Sequence, residues 1–335
     1  MTTPNTTNQH APSQHALSRA GVSTLTRKSV GDREQTAERL LRSTADRAYD
    51  GEVDIDWSAD TVPGAKWVAD HRHSLYGTRL WDSLTEEQRL TLGKHEAVSV
   101  LSYGIMAELF LSIMLLRGVV EGGRLTTGHS RYALAEVAEE TRHSTMFGRI
   151  IDKTGLPAVK QPAVLGILLN FAGLLPRGPS IHAGTLLVEE VLDRMQREMM
   201  DDPQIQPHLR QMMKIHVLEE ERHITYAREE LVRSIDERGP LSNALHRVLT
   251  AIQAIVVVQS LIHPSVYRSV GISPLRGWAT AVSSPRYRDR AVFACEPLMR
   301  YLHEVGMIRG VVTTRLYRLS RALPADLLAE VSGRS

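Results

Sequence analysis

The sequence predicts an all-α fold, a four-helix bundle with further helices at both ends. Three observations carry that prediction. No stretch of useful length alternates apolar and polar residues at the two-residue period of a strand. Four long stretches repeat apolar residues at helical spacing and are bounded by glycine and proline, which break helices. Two of those stretches carry Glu-x-x-His, at Glu140 to His143 and at Glu220 to His223, and the 3.6-residue period places both side chains of each on one helix face.

Taken in order, residues 1–30 hold few large apolar side chains to offset the entropy of ordering and are expected to form a disordered tail. Residues 31–335 are expected to form one domain, with the bundle core at about 83–238. An early helix is expected between Gly31 and Asp50, followed by an acidic irregular stretch. Trp57, Trp67 and Trp81 are expected to anchor this lead-in segment on the main body. Thr85 followed by Gln88 reads as a capping box, starting a helix that runs to about Arg117. The second bundle helix is expected from about Ser130 to Lys153, the third from Ile181 to Met200 and the fourth from His208 to Arg238. Between the second and third lies a short apolar piece, Val164 to Leu175, suited to lining the core or a pocket. Beyond them come an amphipathic or buried stretch from Leu241 to Ile262, a Gly/Pro/Ser-rich loop from His263 to Pro285, and a last long helix from about Arg286 to Val305.

With 335 residues, 42% of them hydrophobic, the chain can bury a sizeable core. A net charge of +2 without a long basic block gives no case for nucleic acid as a partner. The single cysteine, Cys295, excludes an intramolecular disulfide framework and fits a reducing cytosol. Met1 to His15 lacks the apolar segment of a signal peptide, so a cytoplasmic protein is expected. Val98 to Leu116 imitates a membrane span, but Glu108 within it would be costly in lipid, and we read it as a buried bundle helix rather than a membrane contact.

The chemistry lies in the carboxylates and histidines. With 14 histidines in the chain, about one Glu-x-x-His spacing arises by chance, so one alone means little. Here the order along the chain is Glu108, then Glu140 with His143, then Glu189 or Glu190, then Glu220 with His223. That is the pattern of ferritin-like di-metal carboxylate bundles. Glu189 is favoured over Glu190, and the two point about 100° apart on a helix. His216, four residues before Glu220, reads either as a further ligand or as a core histidine. His95, His129 and His182 read as ordinary surface or core histidines. Arg142 and Arg222 either pair with carboxylates such as Glu139 and Glu219 or face solvent. Apolar neighbours of Glu108, namely Leu101, Ile105, Leu109 and Leu111, wall a pocket or pack the core. A carboxylate-rich donor set with imidazoles suits iron or manganese, with iron the better match.

At these residues the sequence resembles the p-aminobenzoate N-oxygenase family, the di-iron arylamine oxygenases of the aureothin and chloramphenicol pathways. The resemblance spans about residues 80–240. It implies seven metal ligands: Glu108, Glu140, His143, Glu189 and the triplet His216, Glu220 and His223. It further implies two iron ions cycling between Fe2+ and Fe3+, dioxygen as oxidant, and an aromatic primary amine carried through hydroxylamine and nitroso to the nitro product. No sequence feature supplies electrons, so an external electron donor or reductase is implied, and a homodimer is a family expectation. Competing readings keep the iron but change the reaction to C–H hydroxylation, desaturation or azoxy formation, or assign iron storage without an organic substrate.

Overall fold

The structure is a computed structural model in which residues 30–160, 166–167 and 174–333 are described. The tail expected at 1–30 therefore lies outside them except for Val30, as does most of the apolar piece at 164–175. Among the described residues there is no strand; one isolated bridge pairs Lys66 with Ile205.

The bundle is formed by α3 (Glu86–Gly122), α4 (Gly128–Thr154), α5 (Pro179–Met199) and α6 (Pro207–Asp236). Thr85 caps α3 through the expected box: its side chain accepts from the Gln88 amide while the Gln88 side chain accepts from the Thr85 amide. The helix runs five residues past Arg117, because Gly123, not Gly118, takes the left-handed conformation that ends it. Thr127 caps α4, and Gly155 closes it in the same left-handed way. α3 packs on α4 and α5 on α6, and these two pairs face each other. The long connection from 155 to 178 separates the pairs, as in bundles with a crossover.

Before the bundle come α1 (Arg33–Asp46), capped by Asp32, and the single turn α2 (Arg79–Asp82). Trp67 and Trp81 are buried, and Trp57 stacks 6.2 Å from His208. The Lys66 bridge ties the same lead-in segment to the α5–α6 turn, since Lys66 N–H donates to Gln204 O at 2.8 Å. After the bundle come α7 (Pro240–Ser260), α8 (Pro274–Ser283), α9 (Pro285–Glu304), α10 (Val311–Ser320) and α11 (Ala325–Gly333). The stretch expected to be a loop from His263 to Pro285 is instead a 3-10 turn, Pro264–Val270, followed by α8. Apolar windows of membrane-spanning length occur in α3 and in Pro240–Val270, and 56% and 39% of them are buried inside the molecule.

Candidate metal centre

The helix register delivers the acidic and imidazole side chains to one level of the bundle. α3 contributes Glu108, α4 Glu140 and His143, α5 Glu189, and α6 His216, Glu220 and His223. Each of the seven is at most 2% exposed. Two groups of four, Glu108/His143/His216/Glu220 and Glu140/His143/Glu220/His223, offer donor atoms within 4.8 Å of one another, and they share His143 and Glu220.

The imidazoles are aimed. His143 Nδ1 lies 3.2 Å from Glu140 and 3.3 Å from Glu220, while its Nε2–H donates to Glu219 at 2.8 Å. His223 repeats the arrangement in mirror fashion. Its Nδ1 lies 2.8 Å from Glu140 and 3.3 Å from Glu220, and its Nε2–H donates to Glu139 at 2.8 Å. Each motif thus orients the other's histidine through the glutamate just before its own inner one, which fixes the tautomer that leaves Nδ1 facing inward. His216 Nε2 approaches Glu108 at 3.4 Å and Glu220 at 3.5 Å.

The inner carboxylates have few protein donors. Both oxygens of Glu189, Glu220 Oε2 and His216 Nδ1 are buried without a hydrogen-bond partner, and Glu140 Oε1 and Glu220 Oε1 meet only imidazole nitrogens, at 2.8–3.5 Å. Buried carboxylates so exposed to one another are costly unless a cation joins them. That donor set fits a pair of hard-to-borderline metal ions.

Protonation answers the same crowding. Burial, then the Glu140 charge, pushes Glu108 well above the usual carboxylate range; burial, then Glu220, does the same to Glu189. Burial acts to raise Glu140 too, but His223 and its hydrogen bonds win and hold it well below that range. Burial opposes the charged form of His143, yet hydrogen bonds to Glu140 and Glu219 raise it to about 9. His216 is pulled down to about 4 by burial and by the His143 charge.

The neighbouring glutamates on α5 differ in surroundings, and neither belongs to the two groups of four donors. Glu189 faces the cluster, whereas Glu190 pairs with Arg228. Arg222 is buried and donates to Glu139 at 2.7 Å; Arg142 is a third exposed and lies 3.6 Å from Glu219. Leu109 does not wall a pocket, because it sits on the outer face of α3 at 41% exposure.

Two cavities flank the cluster along the bundle axis. On one side an apolar cavity of about 90 Å3 is lined by Leu101, Met195, Gln196, Met212, Tyr287 and Arg290, among others. Leu101 is two turns before Glu108, Gln196 two turns after Glu189, and Met212 one turn before His216. On the other side a polar cavity of about 410 Å3 includes Leu111, Glu136, Thr185 and Tyr226, each one turn from a cluster residue. Its wall also holds His129 and His182.

Sequence reasoning passed over Glu136. A signal was present: Glu136-x-x-x-Glu140-x-x-His143 on α4 has the spacing of His216-x-x-x-Glu220-x-x-His223 on α6.

Residues 30–306 match the family of p-aminobenzoate N-oxygenase AurF. The chain is 26% identical over 204 residues to uncharacterized proteins of Mycobacterium tuberculosis and Mycobacterium bovis, covering 57% of this chain and 58% of each relative. It therefore spans less than two thirds of their length. Among solved structures, it is similar to an R2-like ligand-binding oxidase with aerobically reconstituted Mn/Fe cofactor, with 15% identity, a TM-score of 0.45, and coverage of 77% of this chain and 91% of the other. A valine-to-isoleucine mutant of such an oxidase gives 15% identity and a TM-score of 0.43, covering 91% of both chains. The family match covers most of the sequence, and the chain belongs to the p-aminobenzoate N-oxygenase family.

Proposed function

We propose that this protein is a non-haem di-iron N-oxygenase that uses dioxygen to convert an aromatic primary amine, through hydroxylamine and nitroso, to a nitro group in natural-product biosynthesis. The observation that carries the reading is the convergence of six buried donors from three helices beside an apolar cavity, with Glu189 of α5 buried within reach of the charges of Glu220 and Glu140 and both its oxygens without a hydrogen-bond partner. Glu108, Glu140, His143, Glu189, His216, Glu220 and His223 would hold two iron ions. A bound iron pair supplies the electrons with which dioxygen is reduced, and an external donor or reductase restores them.

The chain's own work is binding, orientation and exclusion of water. Glu139 and Glu219 keep both imidazoles turned inward by accepting from Nε2–H. The side chains of Leu101, Met195 and Met212 give an aromatic ring an apolar seat on the side of Glu108, Glu189 and His216. Gln196, whose Oε1 is buried without a hydrogen-bond partner, offers that seat a polar contact for an amine N–H.

The test is anaerobic reduction of iron-loaded protein, exposure to oxygen in a stopped-flow spectrometer, mixing with p-aminophenyl compounds, and chromatography of the products. Nitroarene whose yield depends on the amine and on iron is the expected result. Oxidation to a ferric state that is indifferent to every amine would refute the arylamine reading.

A further inference from the structure

The reading above leaves the larger cavity unused. That cavity is polar, opens between α1 and the ends of the four bundle helices, and reaches inward to Glu136. Glu136 is 1% exposed, and its Oε2 has no hydrogen-bond partner. It stands one turn before Glu140, at the position on α4 that His216 holds on α6. Because α4 and α6 run in opposite directions, that position looks toward the apolar cavity on α6 and toward the polar one on α4. Farther out on the same wall, Tyr226 is hydrogen-bonded to His129, which is only partly buried. A volume of about 410 Å3 has room for a file of waters between these groups.

We propose that the polar cavity is the proton inlet of the centre, with Glu136 as its innermost carrier and the Tyr226–His129 pair as its outer one. The inference rests on the dioxygen-reducing reading above. Turning an amine and one dioxygen into a hydroxylamine and one water consumes two electrons, from the external donor, and two protons. The cluster is closed to solvent, so those protons need a route. At Glu136 the balance is simple: an O–H bond forms at Oε2 with a proton from the cavity side and breaks as that proton passes inward. The carboxylate is then restored and nothing else is consumed.

The environment suits a carrier. Glu136 is faced by Tyr132, Glu139 and Glu140 on its own helix, by Glu220, His223 and Tyr226 on α6, and by Glu189 on α5. Burial outweighs the His223 charge and, with the neighbouring carboxylates, acts to raise its carboxyl, and its unpartnered Oε2 beside the cavity is the atom placed to take a proton.

The experiment reads proton uptake rather than turnover. Iron-loaded protein is reduced anaerobically with reduced methyl viologen, whose one-electron oxidation releases no proton, without amine or oxygen, in weak buffer containing a pH-indicator dye, and iron is quantified before mixing. With Glu136→Gln we expect unchanged iron content and proton uptake slowed about 100-fold, with partial recovery in Glu136→Asp. Tyr226→Phe, which keeps the ring, should slow uptake by about tenfold. Uptake at the wild-type rate in Glu136→Gln and in Tyr226→Phe overturns the proposal. Loss of iron from Glu136→Gln also overturns it, by placing Glu136 among the ligands. Because no amine is present, failure of the arylamine reading leaves this result standing. Wild-type protein that binds no iron would sink the metal reading itself, and the inlet with it.

Discussion

Two buried carboxylates on one helix, Glu96 and Glu108, have opposite fates. Both belong to α3, about three turns apart, and both are at most 2% exposed. Glu96 is fully served by the protein: the Ser74 amide donates to it at 3.1 Å, the Ser74 hydroxyl donates as well, and His73 Nδ1 lies 3.1 Å away. Burial works to raise Glu96, but His73 and Arg290 overcome it and hold the carboxyl below its ordinary range. Glu108 meets His216 at 3.4 Å and otherwise other carboxylates, and it is driven well above that range. Burial alone therefore does not mark a metal site. What separates the two is company: Glu96 has donors of its own, whereas Glu108 sits in a cluster of buried carboxylates that share a few imidazoles.

The largest effect should come from removing a shared donor. Glu220 lies in both groups of candidate ligands, so Glu220→Ala should cost more iron affinity than the roughly 10–100-fold expected for losing an outer partner. Iron per chain after desalting measures it, and retention of two ions would break the comparison. Iron uptake should also release protons, because His143 must give up a proton held to about 9 before Nδ1 can bind a metal. Affinity should accordingly climb as pH rises toward that value, as calorimetry in buffers of different ionisation enthalpy would show.

Next come two isosteric changes of opposite sign, each made in metal-free protein. Glu96→Gln breaks a satisfied buried network and should destabilise by about 3 kcal/mol at neutral pH. Since the folded form of Glu96 binds its proton less tightly than the unfolded form, its contribution is present above the ordinary value of 4.5 and disappears as pH falls through the lower folded value. The gap between variant and wild type should therefore close on acidification. Glu189→Gln should stabilise, by about 1 kcal/mol or more at neutral pH. Its carboxyl is raised, so folding grows costlier as pH climbs above 4.5, and this gap should open in that direction. Urea titrations across pH test both, and two changes of the same sign would overturn the distinction.

The same contrast explains what could be read in advance. The Thr85 capping box and the two Glu-x-x-His spacings are local patterns, and the four bundle helices lie close to where those patterns put them. What escaped depended on partners distant in sequence. The Gly/Pro/Ser content of the 263–285 stretch reads as a loop, yet Pro264, Pro274 and Pro285 each begin a helical element, where a missing N–H costs nothing. Gly277 lies within α8, and its lack of a side chain answers a packing need, since a Cβ there would meet the Tyr267 ring at 2.3 Å. Likewise, nothing local distinguishes Glu96 from Glu108: Ser74 and His73, which serve Glu96, come from the lead-in segment, and the carboxylates that crowd Glu108 come from other helices. The helices α10 and α11 were passed over altogether, being short and held by packing, in the case of α10 against α7.

The smallest effect compares the two arginines of the repeated pattern Glu139-Glu140-x-Arg142-His143 and Glu219-Glu220-x-Arg222-His223. Identical spacing suggests equal roles, but the surroundings differ. Arg222 is 4% exposed and donates to Glu139, the glutamate that orients His223, at 2.7 Å. Removing it leaves Glu139 buried with less compensation, so Arg222→Ala should cost about 2 kcal/mol and roughly tenfold in iron affinity. Arg142 has a side chain that is 34% exposed and reaches Glu139 and Glu219 only at 3.8 and 3.6 Å. Water screens it, so Arg142→Ala should cost no more than about 0.5 kcal/mol. Equal losses from the two substitutions, in urea midpoint and in iron content, would mean that motif position and not burial sets the strength of these contacts. Unequal losses would extend to the cations what Glu96 and Glu108 show for the carboxylates: in this bundle the donors around a charged group, more than its place in a motif, decide what it does.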